Sequence, residues 1–490
     1  MVAKVRLYMV LAVVLAAVFL AYTRILGTWF VSDDFWYLRA VQTHSWSEWT
    51  LNAFDFTDEG PVVEFAYRPL YLLEYPLLYS LLGLNAWAYH LLSVVVHMAN
   101  TILVWLIAQK ISRRNVTANV AAIIFGLHPT YAPTVAWMSA NASVFALFLA
   151  LSSILSLLRY LDGGRRRQFY YATSVVALIA AILVHTETIS TVGVLFVLFA
   201  LLNARQLSEP LSPRAWIPIL PHLIVGVAFV GLHSWIRSQS ELQSTLFTWG
   251  SHVFDNFFTN LALAANPFGV DLDHVSSWRN VVPMMGVGLT SAWLLWTDRN
   301  RLGAKTAAVL WFYLALAPLS AFTLGALPRK LYVVGPSVAL MLAMAAVALW
   351  DWALSRQPAA KNLVGSAFVF LLIGVLSVQT WRVLDDDHLT RVNQWGVNSS
   401  TWEFMVDEIR ETYPSVPEGS RIELIGVPES MLPGGVLDNR LTNAIQLYYG
   451  RVSVIGVPTL EDIQPAPMSG RYQVFYQCPP VCGQPTPGPR

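Results

Sequence analysis

Apolar stretches of about 20 residues recur along most of the sequence, and they restrict the fold more than any other feature. An α-helix rises about 1.5 Å per residue, so a stretch of this length crosses a hydrocarbon core of about 30 Å. Only 12% of the residues are charged and 55% are hydrophobic, whereas soluble domains carry about 25% charge. The sequence therefore predicts an all-α polytopic membrane domain with about eleven transmembrane helices and excludes a soluble globular fold. The predicted spans are 7–30, 86–109, 117–136, 138–158, 169–186, 188–204, 215–236, 281–297, 305–325, 331–354 and 362–381.

The distribution of Lys and Arg predicts the orientation of these spans. If the N-terminus is inside, most basic residues of the membrane part, such as Arg165, Arg166 and Arg167, lie at cytoplasmic ends. An odd number of spans then places the C-terminus outside. Two external segments, 31–85 and 237–280, are too long to be plain turns, and we expect an interfacial or re-entrant helix at 67–84 and a segment lying along the interface at 249–274.

Beyond about residue 383 the composition changes, and helix-like and strand-like segments alternate. This alternation predicts a small α/β domain on the extracytoplasmic side. The division is a transmembrane domain at 1–382 and an extracytoplasmic domain at 383–490. The helix-like segments are 401–413 and 437–450, and the strand-like ones are 421–427, 452–457 and 472–477. Cys478 and Cys482 near the end form either a small disulfide or two unpaired thiols.

Two adjacent carboxylates, Asp33 and Asp34, follow the first span at its external mouth. Acids at a lipid–water boundary are costly to desolvate, and adjacent side chains diverge by about 100° on a helix. One acid could face a reaction centre while the other binds backbone, substrate or a divalent metal ion. The alternative is a solvated pair at the start of the next loop helix.

Polar residues within or beside the spans form a second group of candidates. His90, His97 and Asn100 lie close to one face of a single predicted span. They either line a cavity or make hydrogen bonds between helices. His128 lies in the outer half of the third span, where Pro129 and Pro133 break the helix, and Glu187 lies at the outer junction of the fifth and sixth spans. Each could equally be an ordinary packing residue.

Arg329 and Lys330 lie externally, beside Tyr332, at the outer mouth of a span. Two cations there run against the charge bias, so they favour an anionic lipid headgroup or a phosphate. An interfacial anchor is the alternative. Arg68 is a further external cation.

An ordered set of short motifs resembles the membrane part of the protein O-mannosyltransferases that carry tetratricopeptide repeats, and their bacterial relatives in the C-type glycosyltransferase superfamily. The motifs are FVSDD (30–34), YRPL (67–70), GLNAWAYHLLSVVVHMAN (83–100), FGLHPTYAPTVAW (125–137), HTET (185–188) and RKLYVVGPS (329–337). The chain departs from the family pattern at Pro133, Asn141 and Thr186, where an acid, an arginine and a lysine are expected. No tetratricopeptide repeats follow the membrane part.

The resemblance implies transfer of a sugar, a hexose such as mannose, from a polyprenyl-phosphate-linked donor to a hydroxyl acceptor on a protein or glycan. Asp33 is then the expected base and Asp34 an orienting or metal-binding group. Arg329, Lys330, Arg68 and His128 are the expected phosphate-binding residues. The supporting cavity residues are His90, His97, Asn100, Glu187 and Tyr332. Membrane lipid is the expected environment, and nothing in the sequence indicates nucleic-acid binding.

Two other classes of function stay open at this point. A secondary transporter or lipid flippase would place ionisable groups near the bilayer midplane and would show repeated halves. Here the ionisable groups cluster at the outer face, and the sequence shows no repeat. A non-catalytic scaffold that presents the C-terminal α/β domain is the third class.

Overall fold

The computed structural model describes residues 2–55, 67–203, 213–239, 250–265, 278–300, 302–323, 328–353, 358–384, 399–426, 439–457 and 471–475. Cys478 and Cys482 lie outside the described residues. The chain divides into two compact units. The first unit comprises Met1–Ile25, Leu51–Glu74 and His90–Leu384, and the second comprises Leu26–Thr50, Tyr75–Tyr89 and Asp385–Arg490.

Most described residues are α-helical. The helices are α1 Val2–Tyr22, α2 Asp33–Thr43, α3 Trp46–Ala53, α4 Pro69–Leu82, α5 Ala86–Ser112, α6 Asn115–Leu127, α7 Ala132–Ala136, α8 Asn141–Leu161, α9 Arg167–Val184, α10 Ser190–Asn203, α11 Pro213–Trp216, α12 Leu220–Gln239, α13 His252–Ala265, α14 Trp278–Asp298, α15 Ala304–Ser320, α16 Gly335–Ala353, α17 Pro358–Val383, α18 Ser399–Thr412 and α19 Asn439–Tyr449. Short 3-10 helices lie at Thr23–Gly27, Pro129–Tyr131, Met138–Ala140, Thr186–Ile189, Ile217–Ile219 and Pro328–Tyr332.

Helices lie on all the predicted spans, and the protein is an integral membrane protein with an all-α membrane part, as predicted. Six helical segments within the described part of the chain are long and apolar enough to cross a membrane by themselves. They are Tyr8–Gly27, Ala86–Ser112, Met138–Leu161, Arg167–Val184, Arg214–Gln239 and Gly335–Trp352. Four shorter apolar helices accompany them, at Asn115–Leu127, Thr186–Leu202, Ala304–Ser320 and Ala367–Val383. The two expected interfacial segments also form helices, α4 and α13.

The predicted span 117–136 is interrupted in the middle, as its prolines predict. Helix α6 ends at Leu127, and His128 is extended with φ −76° and ψ 119°. A residue before proline is pushed away from the helical region, because the proline ring collides with its backbone. A 3-10 turn from Pro129 to Tyr131 follows. Backbone that is not α-helical at membrane depth is tolerated where protein or a cavity surrounds it.

Helix α6 forms the centre of the first unit, and its residues from Val120 to Leu127 are all buried. Gly126 permits the close approach of α1, since a Cβ atom at this position would lie 2.6 Å from the Val18 side chain. A hydroxyl also ties α17 to this helix, because Thr380 Oγ1 donates to the Leu127 carbonyl at 2.7 Å. Close packing and hydrogen bonds replace the hydrophobic drive that lipid cannot supply.

The second unit contains the predicted small α/β part. Strands β1 Arg421–Ile425, β2 Ser453–Val457 and β3 Arg471–Phe475 form a parallel sheet with the order β2-β1-β3. Glu423 on the central strand is fully buried, and its carboxylate is compensated by Arg421 at 3.2 Å and by the Gln473 amide at 3.0 Å. The expectation of a small α/β element near the C-terminus is therefore confirmed.

Helix α2 packs on α19 and α18 within the second unit. The Phe35 ring lies 5.3 Å from the Trp402 ring between centroids, and the Gln42 amide donates to the Leu447 carbonyl at 3.2 Å. These contacts hold α2, whose first turn carries the two acids, at both of its ends.

Candidate functional site

The two adjacent acids begin helix α2 and point to different surroundings. Asp33 is exposed, whereas Asp34 is buried and accepts a hydrogen bond from the Val31 backbone amide at 3.0 Å. Negative charge at a helix N-terminus is favoured by the helix dipole. The backbone therefore holds one carboxylate, and the other is presented at the surface of the unit.

Ser32 precedes the pair in a strained conformation, with φ 52° and ψ −121°. Such a conformation costs about 1–3 kcal/mol in a non-glycine residue and persists only where its surroundings impose it. The Ser32 hydroxyl donates to Asp33 Oδ1 at 3.3 Å. The Arg440 guanidinium in turn donates to the Ser32 hydroxyl oxygen at 3.3 Å. A short chain of hydrogen bonds thus links Arg440 on α19 to the exposed acid.

Arg440 is a candidate that sequence reasoning missed. It lies in LDNRLTNAIQ, a segment whose only signal is that of an amphipathic helix. Residues 32 and 440 are far apart in the chain, and no spacing rule joins them. Only the packing of α2 on α19 brings them together.

In the first unit, the predicted cation Lys330 pairs with a buried carboxylate, and two further predicted cations, Arg68 and Arg329, lie close enough to act on its charge. Lys330 Nζ lies 2.7 Å from Glu187 Oε1, and the Glu187 side chain is only 5% exposed. Burial lowers the pKa of the Lys330 ammonium, Glu187 opposes that shift, and the positive charges of Arg68 and Arg329 add to it. The group Arg68, Glu187, Arg329 and Lys330 is called the cation cluster below.

Aromatic rings and backbone contacts orient the two arginines of the cation cluster. The Arg329 guanidinium carbon lies 4.9 Å from the centroid of the Trp137 ring, and Thr134 Oγ1 donates to the Arg329 carbonyl at 2.9 Å. Arg68 lies over the Tyr71 ring at 4.5 Å. Each aromatic ring holds one guanidinium in place through a cation–π contact.

The second carboxylate oxygen of Glu187, Oε2, has no hydrogen-bond partner in the described part of the chain, unlike Oε1, which contacts Lys330. Glu187 Oε2 and His185 Nδ1 are 3.7 Å apart, which is too long for a hydrogen bond. Both atoms are buried without a hydrogen-bond partner among the described residues. A buried polar atom in this state costs about 1–3 kcal/mol unless water or a ligand satisfies it.

The predicted cavity residues His97, Asn100 and Tyr332 form one hydrogen-bonded network between helices. His97 contacts the Gly126 carbonyl through Nε2 at 3.0 Å and the Tyr332 hydroxyl through Nδ1 at 2.7 Å. Because a carbonyl only accepts, Nε2 carries the proton and Tyr332 donates to Nδ1. Asn100 donates to Tyr332 at 3.1 Å and to the Val144 carbonyl at 2.9 Å. This network supports the 3-10 turn that bears Arg329 and Lys330, and the role of these residues in a cavity stays a prediction.

His90 and His128 are both buried. The His128 ring stacks on Tyr131 with centroids 4.7 Å apart, and its Nδ1 accepts a 3.4 Å hydrogen bond from the Thr130 amide. These contacts stabilise the turn after α6. A cavity role for His90 and a phosphate-binding role for His128 stay predictions.

Within the described ranges, no group of three or more His, Cys, Asp and Glu side chains lies close enough together to hold a metal ion. Asp33 or Asp34 as a metal ligand stays a prediction. The structure does bring together the predicted residues Arg68, Glu187, Arg329 and Lys330 in one cluster. It joins His97, Asn100 and Tyr332 in a second.

No family model matches the chain. Sequence comparison finds protein O-mannosyl-transferase TMTC1 of Mus musculus, 30% identical over 162 residues, which is 32% of this chain and 17% of that protein. The Homo sapiens TMTC1 protein is 29% identical over 215 residues, 40% of this chain and 24% of that protein. The chain thus matches no more than about a quarter of the length of these relatives.

Solved structures match over almost the whole chain. ArnT from Cupriavidus metallidurans, bound to undecaprenyl phosphate, has a TM-score of 0.51 and 14% identity, covering 91% of this chain and 86% of ArnT. The oligosaccharyltransferase AglB from Archaeoglobus fulgidus, with an inhibitory peptide and a dolichol-phosphate, has a TM-score of 0.52 and 11% identity, covering 94% of this chain and 65% of AglB. At these identities the likeness concerns the fold. The chain therefore has a C-type glycosyltransferase fold, and its sequence is similar to the O-mannosyltransferases, as the motifs predict.

Proposed function

We propose that this protein is a membrane glycosyltransferase. It transfers a hexose, with mannose as the first candidate, from a polyprenyl-phosphate-linked donor to a hydroxyl group of a protein or glycan on the extracytoplasmic face. The observation that carries the proposal is the cation cluster, where Lys330 pairs with the buried Glu187 at 2.7 Å and the positive charges of Arg68 and Arg329 act on Lys330. The relatives named O-mannosyl-transferases and the lipid phosphates bound in ArnT and AglB support the same class of reaction.

The donor is a phosphodiester that joins the sugar C1 atom to the lipid. In the proposed reaction the acceptor oxygen forms a bond to C1, and the bond between C1 and the phosphate oxygen breaks. Its electron pair leaves with the polyprenyl phosphate, and the hydroxyl proton passes to Asp33. Asp34 holds the start of α2 through the Val31 amide. Each role is one that the residue's own surroundings permit.

The departing phosphate gains negative charge as the C1–O bond breaks, so fixed cations stabilise the transition state more than the ground state. Arg329 and Lys330, with Arg68 beside them, supply such cations. A guanidinium can make two parallel hydrogen bonds to a phosphate, and an ammonium acts as a point charge. His128 is the weaker candidate, because its described contacts are confined to its own turn.

Deletion of the gene tests the class of reaction. Mass spectrometry of external glycans and glycoproteins should show the loss of one hexose from one acceptor, and the purified protein with the matching polyprenyl-phosphate sugar should restore it. Purified protein that moves the lipid across a vesicle bilayer without forming any glycosidic bond would instead favour the flippase alternative.

The orientation is a separate part of the proposal. The bias of Lys and Arg along the chain places the acids, the segment 237–280 and the predicted domain 383–490 outside. Alkaline phosphatase fused after Arg490 should therefore be active. An expressed but inactive fusion, with a cytoplasmic reporter active at the same position, would reject this orientation.

A further inference from the structure

The one carboxylate of the cation cluster has no role in binding a phosphate, since it can only repel it. Glu187 nevertheless lies 2.7 Å from the Lys330 ammonium and is nearly inaccessible to solvent. A salt bridge between a carboxylate and a solvent-exposed lysine would contribute little free energy, because water screens the two charges. Here both partners are largely buried, so the carboxylate acts at close range on anything that contacts the ammonium.

Donor and product differ in charge at the atom that these cations would bind. A phosphodiester donor carries one negative charge, whereas a phosphate monoester carries about 1.5 to 2 negative charges at pH 7. Cations alone therefore bind the product more tightly than the donor, and the enzyme would be inhibited by its own product. A fixed negative charge beside the cations repels the product more, because repulsion scales with the charge of the ligand.

We infer that Glu187 is an internal counter-anion that makes the cation cluster favour the monoanionic donor over the dianionic lipid phosphate product, and so speeds product release. The inference rests on the proposed function. When the donor binds, the Lys330 ammonium leaves Glu187 Oε1 and contacts the phosphate. When the product leaves, the salt bridge between Lys330 and Glu187 forms again. Glu187 Oε2 and His185 Nδ1 lie 3.7 Å apart beside this contact, and neither has a hydrogen-bond partner among the residues that the structure describes. A polar atom of the bound ligand could form a hydrogen bond there.

Equilibrium binding to the full-length protein in lipid nanodiscs tests this inference. The probes are polyprenyl monophosphate, its methyl phosphodiester as a monoanionic analogue, and uncharged polyprenol. We expect Glu187→Gln to tighten binding of the monophosphate about tenfold and of the diester only about threefold, as a charge-dependent repulsion requires. Glu187→Asp retains the charge for folding and withdraws it by one methylene, so its effect should have the same direction and be smaller.

The outcomes separate the two proposals. Wild-type protein that binds neither phosphate better than polyprenol would contradict the phosphate site and hence the proposed function. Binding that Arg329→Ala weakens, while Glu187→Gln changes both phosphates equally or weakens both, would overturn the counter-anion alone. That result would make Glu187 a structural partner of Lys330. A selective gain for the monophosphate in either Glu187 variant supports the inference.

Discussion

The acid pair and the cation cluster are held in place by different means. Asp33 is exposed at the start of one helix, and its contacts within the second unit include the Ser32 hydroxyl, which Arg440 contacts in turn. In the cation cluster of the first unit, Lys330 and Glu187 come from distant segments and are largely buried. Removing an exposed charge leaves little uncompensated, whereas removing half of a buried pair leaves a charge in a low dielectric. Function and stability should therefore separate at Asp33 and remain coupled in the cluster.

The largest effect on activity is expected at Asp33. Asp33→Asn keeps the shape of the side chain and removes the proton acceptor, so turnover should fall by about 10²–10⁴. The apparent melting temperature in detergent should change little, because the residue is exposed. Asp407→Asn, at another exposed acid of the second unit, is the matched control and should retain activity. Wild-type turnover in Asp33→Asn and in Asp34→Asn would reduce both acids to a structural role at the start of α2.

The second prediction concerns stability in the cation cluster. Lys330→Met removes the salt-bridge partner of the buried Glu187, and loss of one partner of a buried pair costs about 3–5 kcal/mol. We expect a large drop in the apparent melting temperature. The second substitution, Glu187→Gln, should restore most of it, because it removes the stranded charge.

Lys110→Met is the matched control for that prediction, since Lys110 pairs with Asp162 at a more exposed place. Its loss should cost less than about 1 kcal/mol. Equal melting temperatures for Lys330→Met and Lys110→Met would show that the Lys330–Glu187 pair contributes no more to stability than an exposed pair. That result would contradict the proposed link between stability and function in the cation cluster.

The same difference explains what could be predicted from the sequence. The lengths of the apolar stretches predicted the helices, and the alternation of helix-like and strand-like segments predicted the small sheet. The adjacent acids were also a local signal, because they directly follow the first span. The contact between Lys330 and Glu187 could not be predicted, because local periodicity carries no information about which of several external loops meet. Each residue was a candidate by itself, and only folding pairs them.

The polar residues of the spans illustrate the same limit. The spacing of His97 and Asn100 predicts a shared helix face, and the structure places both on the Tyr332 hydroxyl. The choice between a cavity and hydrogen bonds between helices depended on the partner, which lies more than 200 residues away in the chain. Arg440 had no local signal at all.

Arg329 tests whether the cation cluster binds phosphate or anchors the chain at the interface. Each charge-assisted contact is worth about 1.5–3 kcal/mol, so Arg329→Ala should weaken use of the donor about ten- to hundredfold. The Michaelis constant for the acceptor should barely change. Arg329→Lys should restore only part, because an ammonium cannot make two parallel bonds. Kinetics with donor and acceptor varied separately measure this.

Arg299 is the control for Arg329, since it too lies over a tryptophan ring, at 4.7 Å from the centroid of Trp296, but is exposed. Arg299→Ala should leave the use of both substrates unchanged. An interfacial anchor at Arg329 would give a small loss that is equal for donor and acceptor and that lysine restores completely.

The smallest effect is expected at Arg440, which acts on the acid through Ser32 and is therefore a positioning residue. Arg440→Gln weakens one hydrogen bond in the chain from α19 to Asp33, and a bond of this kind contributes about 0.5–1.5 kcal/mol. The turnover number should fall about two- to tenfold. The Michaelis constant for the donor should stay the same, and Arg440→Lys should recover part of the loss.

Arg451, an exposed arginine of the same unit, provides the control, and Arg451→Gln should leave turnover unchanged. If Arg440→Gln lowered the melting temperature and left turnover unchanged, the contact between Arg440 and Ser32 would stabilise the fold without positioning Asp33 for the reaction. If it lowered turnover in an Asp33→Asn background by the same factor as in the wild type, Arg440 would act independently of the acid, since residues that work through one another do not give additive effects.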